Sequence, residues 1–367
     1  MSRLAAVPAL AAAAYYVLVL IGALRWRRAK APAAASLPPL SILKPIHGRD
    51  PGFYDALLSH ARQDYPEFEL LFGFSDPHDP ALADVRRLQA EFPRLPISIH
   101  QVSTAAPNTK AGVLAELARR ARHPLLLVND SDIAVEPGYL RAVAAPLADP
   151  ATGLVTCLYR ASADSLPSRA EALGIATEFA PSVLVARLLG VAEFALGSTM
   201  VFRAADLRAI GGFEAIADYI ADDYQLGLRI SSLGRRIEFA PVAVETSLGA
   251  QSWREVWRHQ LRWSRTIRVS RSSGYYGYAV THATLWSLVA LGFGQWWAAA
   301  AALAVRMTAG IAVAGAILRY RPIARDWWMI PFRDLFGFAV WLAGLTGTGV
   351  WWRGKRLHLR ADGRLRP

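Results

Sequence analysis

A chain of 367 residues with 41 Lys and Arg against 29 Asp and Glu carries a formal charge of +12, and 53% of its residues are hydrophobic. That hydrophobic share, with a positive mean hydropathy, lies between soluble and polytopic classes, so part of the chain is expected in a membrane. The single cysteine, Cys157, excludes an internal disulfide and any multi-cysteine metal site and reads as a small buried hydrophobe.

The basic excess gathers at residues 25–30, at 254–271 and from 353 onward, each time beside an apolar run. Such clusters fit anionic lipid headgroups; no zinc-finger spacing or arginine-rich repeat supports a nucleic-acid partner. Residues 5–24 are nearly uninterrupted apolar positions followed by Arg25-Trp26-Arg27-Arg28, long enough to cross a bilayer core of about 30 Å. Because the charge comes after the apolar run, residues 1–30 read as an anchor rather than a cleaved signal, with the chain beyond Arg25 on the cytoplasmic side. Residues 31–39, rich in Ala and Pro, read as a linker.

Over 40–250 short apolar runs alternate with amphipathic segments, which predicts one α/β domain on a mainly parallel sheet. Strands are predicted over 40–44, 69–74, 97–101, 125–128 and 153–159, and helices over 52–63, 81–92, 109–120 and 137–146. Residues 251–278 place Trp253, Trp257, Trp263, Tyr275 and Tyr276 among arginines, the composition of a helix lying in the headgroup layer. Membrane segments are expected over 279–352: two close-spaced spans within 279–318, a basic loop over 319–333, and a re-entrant or interfacial run over 335–352. Residues 353–367 form a basic tail.

The run Leu125-Leu126-Leu127-Val128-Asn129-Asp130-Ser131-Asp132 is a buried apolar strand that ends in two carboxylates one residue apart. Side chains alternate along a strand, but at its carboxyl end the chain turns, so Asp130 and Asp132 can converge on one hard cation such as Mg²⁺ or Mn²⁺. Those ions take one or two carboxylates plus phosphate oxygens, and ligands of open α/β sheets bind where strands end. A solvated acidic turn is the competing reading of the same pattern. Asp76 after the second strand, the pair Asp222-Asp223, and His259-Gln260-Leu261-Arg262-Trp263 complete an ordered series: single Asp, D-x-D, acidic pair, x-x-R-W.

With Leu43-Lys44-Pro45, Gln63-Asp64-Tyr65-Pro66, Asn108-Thr109-Lys110, Gly197-Ser198-Thr199-Met200 and Gly211-Gly212, this series resembles the ceramide glucosyltransferase family of inverting GT-A glycosyltransferases. The resemblance covers roughly residues 40–265. It implies a GT-A nucleotide-diphospho-sugar transferase domain, a Rossmann-like mixed sheet, with transmembrane helices at both ends. The stretch from Leu154 to Arg160 looks most like the bacterial hopanoid-associated members. The implied activity is transfer of glucose or N-acetylglucosamine from a UDP-sugar, with Mg²⁺ or Mn²⁺, to a lipid hydroxyl of a hopanoid such as bacteriohopanetetrol or of ceramide. It implies a multi-pass protein of the inner (plasma) membrane with a cytoplasmic catalytic domain. A processive polysaccharide synthase shares much of the motif series but needs more spans. A non-catalytic membrane scaffold would transfer nothing.

By the same resemblance Asp132 coordinates the metal, Asp130 holds the ribose or a metal-bound water, and Asp223 is the general base. Asp76 suits the uracil N–H or a ribose hydroxyl, since an ionised carboxylate only accepts; its other reading, a helix cap, falls more naturally to Asp79. Lys44 and Lys110, expected in loops after strands, suit phosphate. Arg262 and Trp263 offer a planar fork and an indole donor to the diphosphate; a membrane-belt Trp with a snorkelling Arg is the alternative. His259 stands where the family has Gln or Arg, and the histidine often found near Phe179-Ala180-Pro181 in animal ceramide enzymes is absent, which weakens ceramide as acceptor. His47, His60 and His78 are expected on loops or the surface. Gly211-Gly212-Phe213 reads as a tight turn, because no strand-to-helix GxGxxG pattern surrounds it.

Overall fold

The computed structural model describes residues 2–29, 37–352 and 355–366. Positions 31–36 of the expected linker, together with Lys30 and Arg353 of the basic clusters, lie outside them. The chain forms two compact units, one from residues 37–159 and 192–247, the other from 2–29, 160–191 and 248–366. The expected continuous domain over 40–250 is thus interrupted, because residues 160–191 pack with the terminal segments.

The first unit is built on seven strands: β1 (Leu40–Pro45), β2 (Phe68–Phe74), β3 (Ile97–Gln101), β4 (Leu125–Val128), β5 (Thr152–Ser162), β6 (Met200–Arg203) and β7 (Arg236–Ser247). They lie in the order β3-β2-β1-β4-β6-β5-β7. Parallel pairing joins β3, β2, β1 and β4, while β6 runs antiparallel to both β4 and β5. The sheet is therefore mixed, less parallel than the alternating pattern suggests, because β6 follows no βαβ crossover.

Helices Phe53–Ala61, Leu82–Glu91 and Thr109–Arg120 make the three crossovers between the parallel strands. Both sheet faces are consequently covered, which is why β1, β2 and β4 are buried along their whole length. Along β4, Leu125 and Leu127 enter one core with Ile42, Leu57 and Phe72, whereas Leu126 and Val128 enter the other with Leu43, Leu114 and Phe202. Period-two alternation explains the split. Strand order reverses at β1, flanked by β2 and β4, and such a switch point opens a crevice beyond the carboxyl ends of the strands.

In the second unit, helix Ala6–Arg28 packs through Ala6 and Ala9 against Ala290, Ala298 and Ala302. Small side chains allow this close approach. The segments 3–28 and 296–317 are long and apolar enough to cross a membrane. Within 279–318, where two spans are expected, helix Ala283–Gly292 has 10 residues, too short to cross. The run 335–352 divides into helix Ile330–Gly344 and β8 (Gly349–Trp352). With β9 (Lys355–Leu359) and β10 (Leu365–Arg366), β8 forms a three-stranded antiparallel sheet, so the expected basic tail is folded. Trp253–Ser270 is a helix begun by a capping box between Ser252 and Glu255.

Candidate active site

Beyond β4 the chain turns through Asp130-Ser131-Asp132, and Ile133 N–H donates to the Asp130 carbonyl at 3.3 Å. The same carbonyl accepts Lys44 Nζ at 3.0 Å. Lys44, read as a phosphate contact from a loop, lies in β1, within the strand expected over 40–44, and its side chain is fully buried. Burial lowers its pKa to about 7, against the opposing pull of Asp132 and Asp130. It acts on the turn from beneath. Neighbouring strands fix the turn's other contacts: Ala134 and Glu245 exchange backbone hydrogen bonds of 2.8 and 3.0 Å, and the Thr246 hydroxyl donates to Asp132 Oδ2. Ser131 Oγ donates to Asp50 Oδ2 at 2.9 Å.

Helix Thr109–Arg120 starts on Asn108, whose side chain accepts from Ala111 N and donates to the Tyr219 carbonyl at 2.8 Å. This ties the helix start to the segment that precedes the acidic pair. Lys110, in the first turn of the helix expected over 109–120, lies 2.7 Å from Asp130 Oδ1 and 3.4 Å from Asp222 Oδ2. Burial opposes its charge, yet Asp130, Asp222 and Asp223 outweigh burial and raise its pKa. Lys110 thus ties the acidic turn to the acidic pair.

Asp222 and Asp223 open helix Asp222–Ser232, where the helix dipole favours acids. Gly197 N–H donates to Asp223 Oδ2 at 2.9 Å and Tyr224 N–H to Oδ1 at 2.7 Å. A Cβ at Gly197 would stand 3.3 Å from Asp223 Oδ2 and 3.6 Å from Asp130 Oδ2, so both carboxylates border the space left open by that glycine. Burial, then the charge of Asp222, pushes the Asp223 pKa up to about 6, against Lys110. Burial and then Asp130 push Asp132 up to about 6 as well. Two raised carboxylates in one crevice form an electron-rich, proton-accepting site.

A hard divalent ion fits this donor set. Asp132 is destabilised as an anion by burial and by its neighbour, which a cation would relieve, while Lys110 donates to Oδ1 of Asp130. Among the described residues no group of three His, Cys, Asp or Glu encloses a metal position, so the protein would supply one or two ligands and a diphosphate and water the rest.

Asp76 lies past the carboxyl end of β2, exposed, with Oδ1 accepting from His78 N at 2.9 Å. Beside it a cleft of about 460 Å³ is lined by Ser75 and by residues 101–104. Asp79, the expected cap, accepts from Ala81 N at 2.9 Å and from Gly48 N at 2.7 Å. His60, expected on the surface, is fully buried: Nδ1 meets the Ala56 carbonyl at 2.9 Å and Nε2 meets Asn129 Nδ2 at 2.8 Å. Burial and Lys44 hold its pKa well below the usual histidine range. Spacing on the helix face from Phe53 through Ala56 and Leu57 to His60 carried this signal. Gly211 and Gly212 both take positive φ, in line with a tight turn.

The structure thus gathers Lys44, Lys110, Asp130, Asp132 and Asp223, and adds Asp222, Gly197 and Thr246. Thr246 is 114 residues from Asp132, a separation no local pattern bridges. His259, Arg262 and Trp263 belong to the other unit, on helix Trp253–Ser270. There His259 Nδ1 meets Glu171 Oε1 at 2.6 Å, and its ring lies 4.6 Å from that of Trp263.

The chain is 31% identical over 202 residues to ceramide glucosyltransferase 1 of Caenorhabditis elegans, covering 54% of this chain and 43% of that protein. A shorter match, 30% over 69 residues, is to the probable glycosyltransferase YdaM of Bacillus subtilis, covering 19% of this chain and 16% of that one. The chain spans less than half the length of the ceramide glucosyltransferases it matches. In fold it resembles the mannosyltransferase PcManGT from Pyrobaculum calidifontis, solved with GDP-Man and Mn²⁺, with a TM-score of 0.57 at 20% identity over 93% of this chain and 97% of that one. The family model of glycosyl transferase family 21 matches residues 4–365, nearly the whole length, and the chain belongs to that family.

Proposed function

We propose that this protein is an inverting glycosyltransferase that moves glucose or N-acetylglucosamine from a UDP-sugar to a hydroxyl of a membrane lipid, a hopanoid polyol or ceramide. The observation that carries this reading is the pair Asp223 and Asp130 bordering the space at Gly197, with Lys110 balancing their charge. A single displacement needs one carboxylate to take the proton of the incoming hydroxyl. Asp223 is that base: its Oδ2 and Oδ1 accept main-chain N–H groups, which leaves each oxygen a second lone pair for the proton. The lipid oxygen bonds to the anomeric carbon, and UDP leaves with the electron pair of the broken carbon–oxygen bond.

Mg²⁺ or Mn²⁺ held by Asp132, with Asp130 beside it, would neutralise charge on the departing diphosphate. Asp130 also offers Oδ2 to the ribose or to a metal-bound water. Asp76 and its neighbouring cleft suit the uridine, whose N–H and hydroxyls are donors for an exposed carboxylate. The assignment of His259, Arg262 and Trp263 to the diphosphate rests on the sequence motif. Two helices of spanning length, and a helix rich in Trp and Arg over Trp253–Ser270, support anchorage in a phospholipid bilayer. The arginines after the first apolar segment support a cytoplasmic catalytic unit at the inner membrane.

Incubation of the protein in lipid with a panel of UDP-sugars, and with ceramide or bacteriohopanetetrol, tests the reading. NMR of the glycolipid should show a β-linked sugar from an α-linked donor; an α-linked product contradicts an inverting base.

A further inference from the structure

Beside His259 the helical unit holds a polar centre whose Glu178, Arg306 and Arg333 the proposed transfer does not use. Helices Leu166–Gly174 and Ala180–Leu188 are joined by a π-helical turn, Ile175–Phe179, a widening found mostly at functional sites. It brings Glu178 Oε2 to 3.3 Å from Arg333 Nη2 and Thr177 Oγ1 to 3.5 Å from Arg306 Nη2. Arg333 Nη2 also donates to Gln260 Oε1 at 2.9 Å, and Gln260 in turn donates to Glu171 Oε1 at 2.9 Å.

Five buried atoms of this centre nevertheless have no hydrogen-bond partner: Glu171 Oε2, Glu178 Oε1, Arg306 Nη1, and Nε and Nη1 of Arg333. Glu171 and Arg306 are 0% exposed and Arg333 5%. Buried polar atoms are satisfied in nearly all folded proteins, so such a concentration marks a place where a ligand's polar groups belong. Ionisable side chains among apolar helices point the same way.

Charge decides what kind of ligand fits. Asp334 neutralises Arg306 through hydrogen bonds of 2.5 to 3.0 Å. Arg333 faces Glu178, and Glu171 already meets His259 Nδ1 at 2.6 Å, so the centre offers no unpaired positive charge to a phosphate. A neutral group with hydroxyls can donate to the idle carboxylate oxygens and accept from the idle guanidinium N–H groups. Glu178 is 12% exposed at its side chain, and the ring of its neighbour Phe179 is partly exposed.

We propose that Glu178, Glu171, Arg333 and Arg306 form a binding site for the hydroxyl-bearing polar part of a neutral lipid. As the substrate of the transfer this lipid rests on the proposed function; as a ligand it does not.

Photolabelling tests the site on the full chain in detergent, with a ceramide carrying a diazirine beside its hydroxyls. Label should fall within residues 171–179 or 330–337. Unlabelled ceramide or diacylglycerol should compete, whereas phosphatidylglycerol and free glycerol should not, which separates a neutral lipid from an anionic one and from a soluble polyol. Glu178→Gln should cut labelling roughly ten-fold, the worth of a hydrogen bond to a charged group. Asp223→Asn should leave labelling intact while transfer is lost, so failure of the catalytic reading and failure of the site are told apart. Label confined to other segments, equal competition by phosphatidylglycerol, or unchanged labelling of a folded Glu178→Gln protein overturns the proposal. Should that variant not fold, the wild-type label map and competition decide.

Discussion

Gly197 N–H donates to Asp223 Oδ2 at 2.9 Å, so the candidate base is aimed by the main chain just ahead of β6. Its counterpart, Tyr224 N–H at 2.7 Å, holds the other oxygen. Both bonds favour the ionised form, while burial and Asp222 favour the proton and win, at a pKa of about 6. A base acts only when deprotonated. The rate, as kcat/KM, should therefore rise with pH through about 6 and level off above it. A pH profile with saturating metal checks this; a flat profile from pH 5 to pH 8 excludes Asp223 as the titrating base.

Lys110 is the counter-ion of the crevice. Lys110→Met leaves Asp130 and the buried Asp222 without their cation, and should cost about 3 kcal/mol of stability, the scale for breaking a buried ion pair. Denaturant unfolding measures it. Replacement by Arg should recover part of the loss, since charge is kept while the fork geometry differs.

Lys44 supports the turn through the Asp130 carbonyl. Lys44→Met should weaken Mn²⁺ binding roughly ten-fold even with no nucleotide present, because a charged hydrogen bond that fixes the turn is lost. Electron paramagnetic resonance titration of Mn²⁺ reads this directly. Had Lys44 touched phosphate instead, nucleotide-free metal binding would be unaffected.

Gly227 lets helix Asp222–Ser232 approach the irregular segment before Gly197. A Cβ there would stand 2.6 Å from Ala195 N and 2.9 Å from the Phe194 backbone. Main chain cannot yield as a flexible side chain does. Gly227→Ala should destabilise by about 2 kcal/mol and shift the helix that carries Asp223, lowering kcat more than donor KM. Thermal unfolding and steady-state kinetics check both parts.

The unbroken apolar run over 125–128 and the alternation Ile97, Ser98, Ile99, His100 made two strands legible, and their expected boundaries, like those of the helix over 109–120, match the structure. Strand β6 was not, since Met200–Arg203 offers four residues and no alternation. In β7 the alternation Arg236, Ile237, Glu238, Phe239 is present, but Pro241 interrupts it and disguises the strand. The acidic turn and acidic pair were legible as chemistry. Lys44 and Lys110 fell within the expected strand over 40–44 and helix over 109–120, but the groups they face come from distant segments and were not legible. Of the polar centre at Glu178 only Arg306, a lone charge in an apolar helix, stands out in the sequence, since Gln260, Arg306 and Arg333 come from three separate helices.

The central claim is that Asp223 takes the proton of the acceptor hydroxyl, and Asp223→Asn tests it in one preparation by paired measurement of lipid glycosylation and UDP binding. Transfer should fall by roughly 10²- to 10⁴-fold while UDP affinity stays near that of the wild type. Undiminished glycolipid formation by the folded variant would contradict the account.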